Sequence, residues 1–182
     1  MQFNFKEIFP VVFITTIVLV SVGLLAFTDN ITRDMREWQR EQKILRMLNE
    51  MYPEMSHYTF EDELYIVFAG ETVAGYAYLA TGKGYGGYID ILIGLEDETT
   101  LKGISIIRHS ESPGLGAKIT DDDYRGQYIG LDIDNVELKY DGGQIDAITG
   151  ATISSKAVAD AVRTTALEKV KEIFEGIGNQ DG

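Results

Sequence analysis

The residues best suited to chemistry lie in one short stretch, Asp146-Ala147-Ile148-Thr149-Gly150-Ala151-Thr152-Ile153-Ser154-Ser155. It reads as a short apolar strand, Ile145 to Ile148, turning into a long amphipathic helix that runs from about Ser154 to Phe174. Hydroxyl side chains and a glycine sit at the turn, where a helix presents its free amides. Those amides and the helix dipole attract an anion. A phosphate there is either bound loosely or joined covalently to a hydroxyl. The competing expectation is a plain helix cap, with Thr152 or Ser154 accepting from an amide and Gly150 letting the chain turn.

Two other stretches carry groups of the same kind. In Gly82-Lys83-Gly84-Tyr85-Gly86-Gly87 the glycines either cradle a phosphate or let backbone approach another group closely. No lysine–serine pair of a nucleotide-binding loop follows, so close approach is the preferred reading. In His109-Ser110-Glu111-Ser112-Pro113-Gly114-Leu115-Gly116-Ala117-Lys118, Pro113 fixes φ while Gly114 and Gly116 admit positive φ. This is a rigid loop whose amides, Glu111 and Ser112 suit hydrogen bonding to a polar ring edge. On a strand, His109 and Glu111 would share one face.

Composition narrows the chemistry. The chain has no cysteine and only two histidines, His57 and His109. Disulfides, iron–sulfur ligation and thiol redox chemistry are excluded, and ligands for a transition metal are too few. Lys and Arg number 16 against 29 Asp and Glu, a formal charge of −13. Before residue 28 only Lys6 and Glu7 are charged, so the imbalance belongs to the rest of the chain. Such a domain repels nucleic acid and suits a solvated surface or a basic partner. Any redox role must use a bound organic cofactor.

Taken together, the three stretches resemble the FMN-binding domain family. Its members include the G subunit of the Rnf electron-transport complex and the C subunit of the sodium-pumping NADH:quinone reductase. Thr149-Gly150-Ala151-Thr152-Ile153-Ser154-Ser155 is similar to the family signature Ser/Thr-Gly-Ala-Thr-x-Ser/Thr, whose last threonine carries FMN through a phosphoester. That position is Thr152 here. The loop at 109–118 resembles the family's His-x-Glu-Thr-Pro-Gly-Leu-Gly segment, with Ser112 in place of threonine, and 82–87 resembles its glycine-rich strand entry. The resemblance covers about residues 60 to 175. It implies FMN contacts from Thr149, Gly150, Ala151, Thr152, Ser154, Ser155, Glu111, Ser112, Gly114, Leu115, Gly116, Lys118, Tyr85 and Gly86, with no metal and no catalytic residue of the chain's own.

The elements that position these residues follow from periodicity. Ile8 through Phe27 is a run of twenty uncharged residues, which at about 1.5 Å each spans a hydrocarbon layer of about 30 Å. It predicts a transmembrane helix over 8–28 after a short tail, 1–7. Ile31, Met35, Trp38, Ile44, Leu45 and Leu48 then make an apolar stripe on a helical stalk, 29–56, with Trp38 as a packing anchor. Leu64 to Ala69, Ala74 to Ala80, Tyr88 to Leu95 and Leu101 to Ile107 read as strands of a meander. Leu131 to Tyr140 reads as a further strand, Asp121 to Gln127 as a short acidic helix, and His57 as a surface or loop residue. Gly176 and Gly178 stop the last helix, and 179–182 is a disordered tail. The expected fold class is α+β: a transmembrane helix and one domain, 57–178, whose antiparallel sheet packs against a long C-terminal helix.

The expected function is a membrane-anchored flavoprotein electron carrier. The resemblance implies FMN on Thr152, maturation by a flavin transferase, other subunits of an ion-translocating complex as partners, membrane lipid around the anchor, and coupling to ferredoxin. The length favours the Rnf member over its quinone-reductase relative. Basic residues after the anchor (Arg33, Arg36, Arg40, Lys43, Arg46) taken literally hold the domain in the cytoplasm. The resemblance places it on the extracytoplasmic side, which is the expectation adopted. Two alternatives stand beside it: an extracytoplasmic FMN reductase of a small substrate, with His109 as proton donor, and a non-redox tether.

Overall fold

The apolar run and the charged stripe behind it form one helix. The computed structural model describes the backbone of residues 5–175 and the side chains of residues 9–29, 35 and 38–174. In it α1, Phe5–Met51, is continuous, and the chain divides into two compact units, Met1–Lys43 and Ile44–Gly182. In the first unit the span Phe9–Asp29 has a mean hydropathy of 2.5 and no buried side chains, the length and composition that a bilayer demands. Trp38, expected as a packing anchor, is 57% exposed.

The second unit is built on a five-stranded antiparallel sheet in sequential order, β1 (His57–Glu61), β2 (Leu64–Ala69), β3 (Thr72–Lys83), β4 (Tyr88–Leu95) and β5 (Leu101–Arg108). Strand alternation splits its side chains between two faces. Tyr78, Ala80, Ile89, Ile91, Ile93, Ile104 and Ile106 point into one core. Ala77, Leu92, Val67 and Ile107 point into another. A C-terminal helix, Thr152–Val170, covers the first face with Val158, Ala159, Val162 and Ala166. It lies close because residue 82 is glycine: a Cβ there would stand 2.5 Å from the Ala157 carbonyl oxygen.

The second face is covered by the end of α1. Ile44, Leu48 and Tyr52 are buried against Val67, Ala77, Leu92 and Ile107. The Tyr52 hydroxyl is 2.8 Å and 2.9 Å from the carbonyl oxygens of Tyr76 and Leu95, to which it donates. It reaches them across Gly75 and Gly94, where a Cβ would come within 2.6 Å of the Tyr52 ring and 2.8 Å of its hydroxyl respectively. The last turns of the segment read from sequence as stalk are therefore a structural layer of the second unit.

The expected fold class is the one observed, and several local expectations need correction. The strand expected over Leu131 to Tyr140 is a pair of 3₁₀ turns, Ile133–Asn135 and Lys139–Asp141, flanked by isolated bridges from Asp132 to Thr100 and from Leu138 to Ile145. Leu131, Ile133, Val136 and Leu138 are buried as a strand's would be. The Asp132 carboxylate, however, accepts from the Asp134 amide, a local bond that competes with a ladder. Ile145 to Ile148 forms no strand either, because the Ile148 amide donates to the Ser155 hydroxyl. The acidic helix contracts to α2, Asp122–Arg125, followed by a 3₁₀ turn over Gly126–Tyr128; the C-terminal helix is accordingly α3. His57 is exposed, as a surface residue would be, and opens β1 rather than standing in a loop, its ring stacked 4.6 Å from that of Phe68. Residues 1–4, the glycine stop at Gly176 and Gly178, and the tail 179–182 lie outside the described residues.

Candidate functional site

At the N-terminus of α3 the three glycine- and hydroxyl-rich stretches meet around a cleft of about 620 Å³. Its walls are Tyr85 from the β3–β4 connection, Glu111, Ser112, Leu115 and Gly116 from the loop after β5, and Gly150, Ala151, Thr152, Ile153 and Ser154 from the helix start. Tyr85, Leu115 and Ile153 are large apolar side chains left 74%, 49% and 58% exposed. Glu111 is the single charged residue among the lining.

Helix α3 is entered through a turn that its own serine holds. Gly150 has φ +79°, a left-handed conformation that glycine takes without penalty. Ala151 is the cap residue and offers no side-chain bond. The Ser155 hydroxyl, fully buried, accepts from the Ile148 amide at 3.0 Å and donates to the Ala151 carbonyl at 3.1 Å. Neither Thr152 nor Ser154 caps the helix, which corrects the simple capping expectation. The amides of Thr152, Ile153 and Ser154 find no acceptor among the described residues, so the first turn keeps its donors for an anion.

The hydroxyls of this segment differ sharply in availability. Ser154 and Ser155 are 1% and 0% exposed, and both donate within the protein. Thr149 is exposed but is not part of the cleft wall. Thr152, the first residue of α3, is exposed and lines the cleft.

Glu111 ties the three stretches together. It is 5% exposed. One carboxylate oxygen accepts from the Gly86 amide at 3.0 Å and the other from the Ser154 hydroxyl at 2.5 Å. Buried carboxylates require such donors. Glycine makes the room: a Cβ at Gly116 would stand 2.6 Å from one Glu111 oxygen and 2.8 Å from the Ser154 hydroxyl, and one at Gly84 would collide with the other Glu111 oxygen. The close approach read from the glycines of 82–87 is thus, at Gly82, Gly84 and Gly86, an approach to other protein atoms, while Tyr85 faces the cleft.

The remaining residues singled out from sequence lie behind or beside the cleft. Gly86 donates its amide to Glu111 from behind, Ser155 braces the turn, Gly114 takes φ +77° at the loop's outer bend, and Lys118 is exposed on the 3₁₀ turn Gly116–Thr120. His109 and Glu111 do not share a strand face. β5 ends at Arg108, the His109 ring nitrogen Nδ1 accepts from the Glu111 amide at 3.2 Å, and His109 is half-buried where Glu111 is buried. Two supports had no sequence signal. Ile153 lines the cleft, and Tyr124 donates to the Ser155 carbonyl at 3.0 Å while bonded to Tyr128 at 2.9 Å. Burial pushes the Tyr124 hydroxyl up to about 12 and Tyr128 also upward, so both remain protonated donors at neutral pH.

The geometry has counterparts in known proteins. A profile described as the FMN-binding domain matches residues 84–166, from the glycine stretch into α3. The G subunit of the ion-translocating oxidoreductase complex of Pseudoalteromonas atlantica is 34% identical over 178 residues, covering 82% of this chain and 81% of that protein. Its namesake from Methanosarcina acetivorans is 34% identical over 175 residues, covering 87% and 93%. Among solved structures, the C subunit of the Na⁺-translocating NADH-quinone reductase from Parabacteroides distasonis superposes with a TM-score of 0.51 at 25% identity, over 59% of this chain and 60% of that one. Shewanella oneidensis NqrC shares the fold, with a TM-score of 0.50 at 18% identity over 66% and 73% of the two chains.

Proposed function

The chain belongs to the FMN-binding domain family, alongside the G subunits of ion-translocating oxidoreductase complexes, and from that premise we propose that it is a membrane-anchored electron-carrying subunit with FMN joined to Thr152. The residues present fit that group. A cleft of about 620 Å³ is of the size that encloses a cofactor. The unpartnered amides of Thr152, Ile153 and Ser154 suit a phosphate. Tyr85, Leu115 and Ile153 offer apolar surface to a ring and exclude water from it. When bound, FMN supplies reversible electron transfer, which this chain, without cysteine, cannot draw from a thiol pair.

One observation carries the assignment: of the hydroxyls at the helix start, Thr152 alone is both exposed and in the cleft wall. Attachment is a group transfer from a flavin dinucleotide. Thr152 Oγ forms a bond to the flavin-side phosphorus, the bond from that phosphorus to AMP breaks, and the hydroxyl proton passes to a base of the flavin transferase. A threonine hydroxyl at its ordinary pKa does not do this unaided, which is why a transferase is required. The intact mass of the protein purified from membranes should exceed that of the polypeptide by one FMN less water, and peptide mapping should put the increment on Thr152. A colourless protein of unmodified mass would return the chain to the tether reading.

The role is relay rather than chemistry on a substrate. His109 is absent from the cleft wall, so a reductase would lack its positioned proton donor. Relay to other subunits fits a cleft rimmed by exposed apolar side chains. We place the chain in an Rnf-type complex exchanging electrons with ferredoxin, its span Phe9–Asp29 set in lipid and its domain on the extracytoplasmic side. Protease added to intact spheroplasts should then digest the domain; complete protection would put it in the cytoplasm, as the basic flank alone implies.

A further inference from the structure

We propose that Glu111 is a positioning residue for flavin attachment: its buried carboxylate, bound to the Gly86 amide and the Ser154 hydroxyl, holds Thr152 at the mouth of the cleft. The inference rests on Thr152 being the acceptor. The first turn of α3 has no side-chain cap at Ala151, and the amides of Thr152, Ile153 and Ser154 have no acceptor among the described residues. Two of its own serines tether it, beside the bond that Tyr124 gives to the Ser155 carbonyl. Ser155 ties it backwards to Ile148 and Ala151. Ser154 ties it sideways to Glu111, and through Glu111 to the Gly86 amide of the β3–β4 connection.

Thr152 lies two residues before Ser154 in the same turn. Without the sideways tether that turn keeps only the bonds at Ser155, and Thr152 Oγ gains freedom to swing across the cleft mouth. Bond formation at phosphorus tolerates little misplacement, since a displacement of about 1 Å costs a large part of the rate. A buried carboxylate is also an expensive way to fill space, because an apolar side chain of similar volume does so without desolvating a charge. Glu111 has instead a cavity shaped for it by Gly84 and Gly116, and its charge sits beside the positive end of α3. The arrangement orients a reacting hydroxyl while leaving that hydroxyl free.

The test uses the full-length protein, purified without flavin and supplied with a flavin transferase and FAD. Attachment is followed by mass and the modified peptide is mapped. Glu111→Gln keeps the shape but turns an NH₂ group toward one of the two donors. Ser154→Ala removes the hydroxyl and leaves the carboxylate with one partner. Each should slow attachment by about tenfold, the loss of one charge-assisted hydrogen bond. The loss should fall on kcat, with the transferase's KM for the protein unchanged, whereas partial unfolding would raise the apparent KM. The double variant should be no slower than the slower single one, because both remove the same contact. Wild-type rates in the single variants, or losses that simply multiply, would overturn the proposal. Should Glu111→Gln fail to fold, Ser154→Ala decides alone by the same criterion. A wild-type protein whose flavin maps to a residue other than Thr152 would overturn the underlying acceptor reading instead.

Discussion

A Thr152→Val protein should carry no flavin through denaturing electrophoresis, where the wild-type band fluoresces yellow. The expected effect is the whole signal, from one flavin per chain to none. The substitution replaces one hydroxyl by a methyl group of almost the same volume. Thr152 is exposed and neither caps α3 nor bonds to a neighbour through its side chain, so no structural contact is lost. Exposed changes of this kind move stability by about 0.5 kcal/mol or less, and thermal unfolding of the variant should match the wild type after allowance for the missing flavin. Ser154 and Ser155 cannot substitute, since both hydroxyls are buried and engaged. If the variant retained flavin after denaturation, Thr152 would not be the point of attachment, and the exposure argument that selects it would fail with it.

Leu48→Ala should lower the urea midpoint of the Ile44–Gly182 unit by about 1–2 M, with little change in slope. Leu48 is fully buried in the core formed by Ile44, Tyr52, Val67, Ala77, Leu92 and Ile107. Removing three carbons from such a site costs about 2–5 kcal/mol, part transfer and part cavity. With a urea slope of about 2 kcal/mol/M, the middle of the range for a small domain, the lower to middle part of that cost, about 2–4 kcal/mol, converts to the midpoint shift given, out of a total stability of about 5–15 kcal/mol. Asn49→Ala, one residue on and exposed, should shift the midpoint by less than about 0.5 M. Circular dichroism of the detergent-solubilised protein reads both. A Leu48→Ala midpoint equal to that of Asn49→Ala would mean that the end of α1 merely abuts the sheet. The expected contrast would show that a domain cut free at residue 57 lacks one of its two covering layers.

Most of the architecture was legible because it rests on local pattern. Twenty uncharged residues can satisfy lipid only as a helix. The runs at 64–69, 88–95 and 101–107 are too rich in Val, Ile, Leu and Tyr to be anything but buried strands. β1 went unseen because an exposed edge strand has no buried face to set an alternation. The segment 131–140 misled because its buried residues alternate like a strand's, while the bonds that decide its backbone go to Asp132, to Ile145 and to turns within itself.

For the site, residue types and spacing offered either a cap or an anion site at the start of α3, put hydroxyls there, and marked the glycines of 82–87 for close approach. Those are properties of a helix terminus and of a missing Cβ, and they hold wherever the segments end up. Which hydroxyl is free was decided only in three dimensions. Burial is a sum over neighbours, many of them distant in sequence: Ser154 is withdrawn by Glu111, forty-three positions away, and Ser155 is buried in a turn that it closes onto Ile148 and that Tyr124 caps from outside. Glu111 itself reads from sequence as a group for a ligand. Its two oxygens meet Gly86 and Ser154 because β3–β4, the loop after β5 and α3 converge, and in a low-dielectric interior a carboxylate takes every donor that packing brings within reach.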